Sequence, residues 1–306
     1  MQKKRNGLLE IYRLLFCFWV MFYHDFFFFE NTRDVFQGAP LAVDFFFILS
    51  GFFLIRSMRE LKGEPTLLGA AKLVFSRMKP LLFSVIFITS FNAVCTLLFI
   101  HEDYLDVIFC VIKYWWYLLY LFIASGLFYI VYRLMKSEKA FCVFLFVLMV
   151  SMTVFHYAVE ERGFLIYEFT YVARTFAPLS FGMLISFIPR LKGKWVFLSS
   201  VIVFALVVLL FCLAYGEKKY LICLAMVCLF GVLIYFTSTI PVSGRIFDLI
   251  GKLSTRMYLY MSFVSMLHVL GLKQHRVLFV IAVFLAVIDL FVTRYRKKYL
   301  ALKSVS

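Results

Sequence analysis

The sequence predicts an all-α, polytopic integral membrane protein with about ten transmembrane helices, because three features recur along its whole length. Hydrophobic residues make up 64% of the 306 residues, whereas a soluble protein averages about 45–50%. Apolar runs long enough to cross a bilayer follow one another from end to end. Lys and Arg gather in the short connections between these runs, which is typical of loops that set membrane orientation.

Ten spans fit this pattern and leave no hydrophilic stretch long enough for a soluble domain, so we predict a single integral membrane domain over residues 1–306. Leu67–Met78, between the second and third spans, is predicted to form an amphipathic surface helix. The spans are Leu8–Phe29, Pro40–Arg56, Pro80–Ile100, Trp115–Arg133, Phe141–Tyr157, Tyr171–Ile188, Trp195–Tyr215, Tyr220–Ile240, Met257–Leu272 and Val277–Thr293.

The basic residues predict that both termini lie in the cytoplasm. This orientation places 23 of the 32 Lys and Arg residues in cytoplasmic segments and 7 in outer loops, in agreement with the positive-inside rule. The loop between the eighth and ninth spans supplies Arg245, Lys252 and Arg256 to that count. The net charge of +15 does not indicate nucleic-acid binding, since the basic residues sit in short loops between spans and form no arginine-rich face or tail that would follow phosphates.

The first span carries charge where lipid should exclude it, in the stretch Glu10–Asp25. A charged side chain inside a bilayer helix costs roughly 2.5–3.5 kcal/mol on insertion scales, so it usually serves a function. Arg13 and His24 are eleven residues apart, which places both on one stripe of a helix, about 16 Å apart along its axis. A fixed cation and a titratable base on one stripe resemble half of an active site. Alternatively, Arg13 forms a structural pair with Glu10, one turn earlier.

The second span adds Asp44, which we expect to enter the membrane from outside at about the depth of His24. A contact from Asp44 would orient the His24 imidazole and raise its basicity. The alternative is that Asp44 only caps its helix. Arg174, in the sixth span, is a further isolated charge, with Asp44 or Glu168 as its expected partner.

Other site types find little support in the sequence. The seven cysteines form no CxxC and mostly read as small buried hydrophobes. No histidines or acids have metal-ligand spacing, so no metal site is predicted. Ser50 and Asn92 are weaker candidates for contacts with an acceptor. Walker A, dinucleotide and nucleophile-elbow motifs are missing, and no bound cofactor is predicted.

The first span carries Arg13 and His24, and the second span contains Val43–Phe53, with the sequence VDFFFILSGFF. Together these two segments resemble the acyltransferase-3 family. Further segments similar to family motifs are Arg77–Pro80 (R-x-x-P), Trp116–Leu118 (W-F-L) and Ser254–Leu259 (S-x-x-I-Y-L). The chain departs from the family pattern at three positions, which indicates a divergent subgroup. These positions are Val74, Tyr114 and Met261, where the family often has Arg, His and His.

The resemblance implies a bacterial multi-pass enzyme of the cytoplasmic membrane. Such an enzyme moves an acyl group, usually acetyl, from acyl-CoA to a hydroxyl of a cell-surface polysaccharide or glycolipid. His24 would then act as general base or transient acyl acceptor. The partners implied are acyl-CoA, a carbohydrate or glycolipid acceptor and membrane lipid.

The donor would be held on the cytoplasmic side, where Arg and Lys side chains suit its phosphates. A cytoplasmic cationic cluster is available there, formed by Arg56, Arg59, Lys72, Arg77 and Lys79. For most of this cluster, plain positive-inside topology is the better explanation. Arg77 is favoured for donor binding because it stands at the mouth of the third span, with Lys79 beside it. Arg13 would guide the pantetheine arm or polarise the thioester carbonyl.

Two other function classes stay open at the level of sequence. A transporter or flippase for a glycolipid or polysaccharide unit is compatible with ten spans and buried charges, although paired interrupted helices are not evident. A purely structural membrane scaffold would leave the cost of burying Arg13 and His24 without a benefit.

Overall fold

The computed structural model describes residues 6–25, 41–61, 66–95, 97–98, 104–160, 167–191, 193, 195–213, 219–269 and 275–303. Within these ranges the chain forms eleven α-helices and no strand, so the predicted all-α class is confirmed. The helices are α1 (Gly7–Asp25), α2 (Ala42–Glu60), α3 (Leu67–Met78), α4 (Leu82–Cys95), α5 (Tyr104–Leu134), α6 (Glu138–Glu160), α7 (Tyr167–Phe187), α8 (Trp195–Leu213), α9 (Lys219–Thr239), α10 (Arg245–Val269) and α11 (His275–Lys303).

Each predicted span falls on one helix, and the helix predicted at Leu67–Met78 is α3. The largest differences are at the starts of α5 and α10, which begin well before the predicted spans. The prediction that Arg245, Lys252 and Arg256 lie in a loop is wrong, since all three are on α10. Hydropathy marks the part of a helix that suits lipid, and it misses amphipathic turns that continue beyond it.

Three of the described helices are long and apolar enough to cross a membrane, in agreement with a membrane protein. The qualifying segments are Trp116–Leu134, Glu138–Ala158 and Leu221–Thr239. A fourth is added if α3 and α4 together form one broken span. The count of ten spans and the orientation stay predictions.

The chain divides into two compact units. Unit 1 comprises Met1–Arg33, Leu81–Tyr114 and Val242–Ser306, and so contains α1, α4, α10 and α11. Unit 2 comprises Asp34–Pro80 and Trp115–Pro241, with α2, α3 and α6 to α9. Helix α5 contributes to both. The single domain over residues 1–306 stays a prediction.

The core of unit 2 depends on a close approach of α2 and α7. A Cβ atom at Gly51 would overlap the carbonyl oxygen of Leu179, and a Cβ atom at Gly182 would overlap that of Ile48. Small residues allow helix backbones to touch in this way, which is a common basis of packing in membranes. The two helices run in the same direction, so their N-terminal halves lie side by side and bring Asp44 next to Arg174.

In unit 1, α1 packs beside α10, also in the same direction. The Asn6 side chain caps α1 by accepting hydrogen bonds from the backbone N–H groups of Leu8 and Leu9, at 3.1 and 3.2 Å. The N–H of Gly7 donates to the carbonyl of Val242 at 2.6 Å. These contacts fix the start of α1 against the chain that leads into α10, and therefore fix the height at which Arg13 meets α10.

Candidate active site

Arg13 is held by two hydrogen bonds within unit 1. Its Nη1 donates to Glu10 Oε2 at 2.7 Å, and its Nη2 donates to Thr255 Oγ1 at 2.7 Å. About a fifth of the Arg13 side chain stays accessible, whereas Glu10 is buried. Arg13 therefore forms the structural pair with Glu10 that one of its two interpretations predicted. The remaining accessible surface leaves the other interpretation, contact with the donor, open.

Thr255 was missed by sequence reasoning, although it stands inside the segment Ser254–Leu259 that resembles a family motif. Its hydroxyl donates to the carbonyl of Gly251 at 3.0 Å, which leaves an oxygen lone pair for Arg13. The only sequence signal for Thr255 was a hydroxyl side chain within a segment that resembles a family motif. Its partner on α1 lies 242 residues away in sequence, and nothing local to Thr255 identifies that partner.

His24 lies in the last turn of α1, but its side chain is outside the described residues. The predicted contact between His24 and Asp44 therefore stays a prediction. Cys17, on the same helix, is fully buried, and its thiol donates to the carbonyl of Ser254 at 3.3 Å. The packing role expected of Cys17 agrees with this position.

Asp44 forms an ion pair with Arg174 inside unit 2, as expected for one of the two partners considered for Arg174. Arg174 Nη2 lies 3.5 Å from Asp44 Oδ1. The guanidinium also sits 5.8 Å from the ring centroid of Trp116, in the segment similar to the W-F-L motif. The centroid of that ring lies 4.6 Å from the centroid of the Tyr171 ring, with the two rings tilted by 34°. A buried carboxylate, a guanidinium and a motif Trp are thus brought together.

Arg77 is a poorly compensated cation in unit 2. Its Nη2 donates to the carbonyl of Ser50 at 3.4 Å, which is a long hydrogen bond. Its Nη1 is buried without a hydrogen-bond partner, and no ion pair to Arg77 is formed by the described residues. Burying a charged guanidinium with so few partners is costly, so the site suits an anionic ligand.

The other residues of the cytoplasmic cationic cluster fall into two groups, two paired arginines and two exposed lysines. Arg56 pairs with Glu60 at 3.2 Å, and Arg59 pairs with Glu138 at 2.7 Å. Burial would lower the pKa of Arg59, but its hydrogen bonds to the Glu138 carboxylate outweigh that effect and raise the pKa. These pairings favour a structural explanation for Arg56 and Arg59. Lys72 and Lys79 are exposed.

Other predicted site residues lie apart from these groups. Asn92 is fully buried in α4, and Ser50 is half-buried in α2. The described residues include no group of three His, Cys, Asp or Glu side chains that could hold a metal ion, and the absence of a metal site stays a prediction.

The structure also shows a buried ionic cluster in unit 1 that sequence reasoning overlooked. Arg256 and Asp289 form an ion pair at 3.4 Å, with exposed side-chain fractions of 6% and 2%. Asp289 is an acid inside the predicted tenth span, so the rule that singled out Arg13 and Arg174 would have found it.

Comparison with known proteins agrees with the segments named above. The acyltransferase domain model of the acyltransferase-3 family matches residues 6–293. No curated protein and no solved structure shows significant similarity to the chain. The family match covers nearly the whole chain, including Arg13, Asp44, Arg77 and Arg174. The chain therefore belongs to the acyltransferase-3 family of membrane acyltransferases.

Proposed function

We propose that this protein is a membrane O-acyltransferase that moves an acetyl group from acetyl-CoA to a hydroxyl of a cell-surface polysaccharide or glycolipid. The observation that carries the proposal is the family match over residues 6–293. We place the enzyme in a bacterial cytoplasmic membrane, crossing it about ten times with both termini inside.

The packing directions of the helices support this topology. Within unit 1, α1 and α10 run parallel, and α10 and α11 run antiparallel through the pair Arg256–Asp289. Within unit 2, α2 runs parallel to α7, through Asp44–Arg174 and Ile48–Gly182. It also runs parallel to α5, through Phe47–Tyr117 and Met58–Arg133. Strict alternation over ten spans requires these same directions, since odd-numbered spans point outward and even-numbered spans point inward.

On the donor side, Arg77 supports binding of a phosphate-rich ligand such as acyl-CoA. A guanidinium with a buried, unpartnered Nη1 gains more from a phosphate oxygen than a guanidinium already paired with a carboxylate, such as that of Arg59. Lys79 is two residues further along and exposed, where it adds attraction for the same anion. Arg13, partly accessible beside Glu10, contacts the thioester end of the donor.

The proposed chemistry begins with His24 in its neutral form, which accepts the proton of the acceptor hydroxyl. The hydroxyl oxygen forms a new bond to the thioester carbonyl carbon, the C–S bond breaks, and CoA leaves and takes up a proton. A transient acyl-histidine is the alternative route. Arg13 would stabilise negative charge on the carbonyl oxygen. Asp44, whose carboxylate pairs with Arg174, supplies the negative charge proposed to orient His24.

A direct test uses bacterial membranes that contain the protein and acetyl-CoA labelled in the acetyl group. We expect label in the polysaccharide or glycolipid fraction, released as acetate by mild alkali because an ester is formed. Membranes with an empty vector provide the control. Label that stays in acetyl-CoA, together with glycan movement across liposomes containing the purified protein, would favour the transporter or flippase, which the family match does not favour.

A further inference from the structure

Unit 1 contains a buried ionic cluster that the proposed chemistry does not use. Counted over the whole residue, Asp289 on α11 is 3% exposed, Arg256 on α10 is 5% exposed and Ser84 on α4 is 1% exposed. Arg256 Nε lies 3.4 Å from Asp289 Oδ2, and Ser84 donates a hydrogen bond to the same oxygen. Three helices therefore meet at one carboxylate.

Thr293 completes the cluster and satisfies the second carboxylate oxygen. Its hydroxyl donates to Asp289 Oδ1 at 3.0 Å and accepts from Arg256 Nη2 at 3.2 Å. Arg256 Nη1 donates to the carbonyl of Lys252 at 3.2 Å. Arg256 Nε faces the carboxylate without a hydrogen bond, so the helices are held together by the hydrogen bonds of Nη1, Nη2, Ser84 and Thr293 around the ion pair. Losing any of these groups leaves a further buried polar group unsatisfied.

The cluster is adjacent to the residues through which α10 contacts α1. Thr255 precedes Arg256, and consecutive side chains on a helix point about 100° apart. One side of this turn therefore faces Asp289 on α11, while the other holds Arg13 through Thr255 at 2.7 Å. The carbonyl of Ser254, in the same turn, accepts the hydrogen bond from the Cys17 thiol.

We propose that Asp289 is a positioning residue for Arg13. By holding Arg256, it fixes the rotation and height of α10, so that Thr255 stays within hydrogen-bond distance of the Arg13 guanidinium. A hydrogen bond weakens steeply when its geometry changes, so a small rotation of α10 releases Arg13 from one of its two partners. The consequence for catalysis rests on the proposed function, in which Arg13 contacts the acyl donor.

The kinetic test is a double-mutant cycle in the full-length protein in membranes. Asp289→Asn keeps the shape of the side chain and removes its charge, and Thr255→Val removes the hydroxyl that holds Arg13. We expect Asp289→Asn to lower kcat/KM for acetyl-CoA at least fivefold in the natural background and less than twofold in the Thr255→Val background. Equal losses in both backgrounds would overturn the proposal. Asp289→Glu, which keeps the charge, should recover part of the activity.

A second readout does not depend on activity. Cys17 is fully buried against Ser254, so its alkylation by N-ethylmaleimide reports how closely α1 and α10 pack. We expect Asp289→Asn to speed alkylation of the Cys17 peptide at least threefold. Cys228, on α9 of unit 2, serves as internal reference, because it lies in the other unit and its alkylation should not change. Unchanged alkylation would overturn the positioning link. If the natural protein transferred no acyl group, the proposed function would fail, while this readout would still decide the link.

Controls separate positioning from general loss of stability. Ser200→Ala removes a buried hydrogen bond of 2.9 Å to Thr237 in unit 2, so it should lower the unfolding temperature without changing Cys17 alkylation or the KM for acetyl-CoA. If Asp289→Asn fails to insert, Ser84→Ala removes a single hydrogen bond to Asp289 and should show the same pattern at smaller amplitude. Loss of activity with normal Cys17 alkylation in Ser84→Ala would then count against the proposal.

Discussion

Replacing Arg77 with Gln should weaken donor binding without lowering stability, a combination that a structural cation would not give. The buried Nη1 of Arg77 has no hydrogen-bond partner among the described residues. Its Nη2 donates to the carbonyl of Ser50, but this hydrogen bond is long at 3.4 Å. Gln removes the uncompensated charge and keeps a donor for Ser50. The free energy of unfolding should therefore stay the same or rise, because an unpaired buried charge disfavours the folded state.

The loss in donor affinity can be sized from the contact proposed. A hydrogen bond to a charged group contributes about 1.5–3 kcal/mol, and each 1.4 kcal/mol is about a tenfold change in an equilibrium constant. One lost guanidinium–phosphate contact should then raise the KM for acetyl-CoA by about 10- to 150-fold. The kcat at saturating donor should change little, because Arg77 is proposed to hold the phosphates and takes no part in bond-making.

The assay combines initial rates over a range of acetyl-CoA concentrations with thermal unfolding of the purified protein, with and without CoA. The stabilisation of the native state by a bound ligand grows with the logarithm of the ratio of ligand concentration to Kd, so CoA at one concentration should stabilise Arg77→Gln less than the natural protein. Arg59→Gln is the matched control, since Arg59 is already paired with Glu138 at the surface; it should leave the KM unchanged. The reasoning would be refuted if Arg77→Gln lost more than about 2 kcal/mol of stability and kept the natural KM for acetyl-CoA. A loss of that size is typical when a buried group loses its hydrogen-bond partner.

Two further predictions concern stability and are read from thermal or denaturant unfolding in detergent. Gly182→Ala should destabilise the protein by about 1–3 kcal/mol, because its Cβ would overlap the backbone of Ile48. The control Gly126→Ala should be neutral or slightly stabilising, since the nearest atoms to its Cβ would lie at 3.6 Å or more. Equal effects of the two substitutions would contradict the close approach of α2 and α7. Asp44→Asn should cost about 3 kcal/mol by removing the carboxylate that pairs with Arg174, and adding Arg174→Gln should recover most of that loss. A double variant no more stable than the single one would show that the pair is not coupled.

The helices could be predicted from the sequence because their signal is local. Hydropathy located every span on a helix, and Thr66 caps α3 as its type suggests, accepting from the N–H of Gly69 at 3.1 Å. The pair Glu10–Arg13 could be foreseen from helical spacing alone. The pair Asp44–Arg174 was expected only as one of two options, from depth in the membrane and scarcity of charge.

The contacts that could not be predicted join distant parts of the chain. Thr255 meets Arg13 across 242 positions, and Ser84 meets Asp289 across 205. Loop counting assigned Arg256 to a cytoplasmic loop, because nothing local shows that α10 begins twelve residues before the apolar run. Such pairings depend on how helices pack in three dimensions, which one sequence does not encode as a pattern.

The central claim, an acyl transfer that depends on His24, is tested most directly by one comparison of rates. Membranes with equal amounts of the natural protein, His24→Ala or His156→Ala receive acetyl-CoA labelled in the acetyl group, and label in the glycan fraction is measured over time. His156, on α6, has no part in the proposed chemistry. We expect His24→Ala to lose at least about 100-fold in rate, as for removal of a general base or nucleophile, while His156→Ala keeps the natural rate. Undiminished transfer by His24→Ala would contradict the central claim.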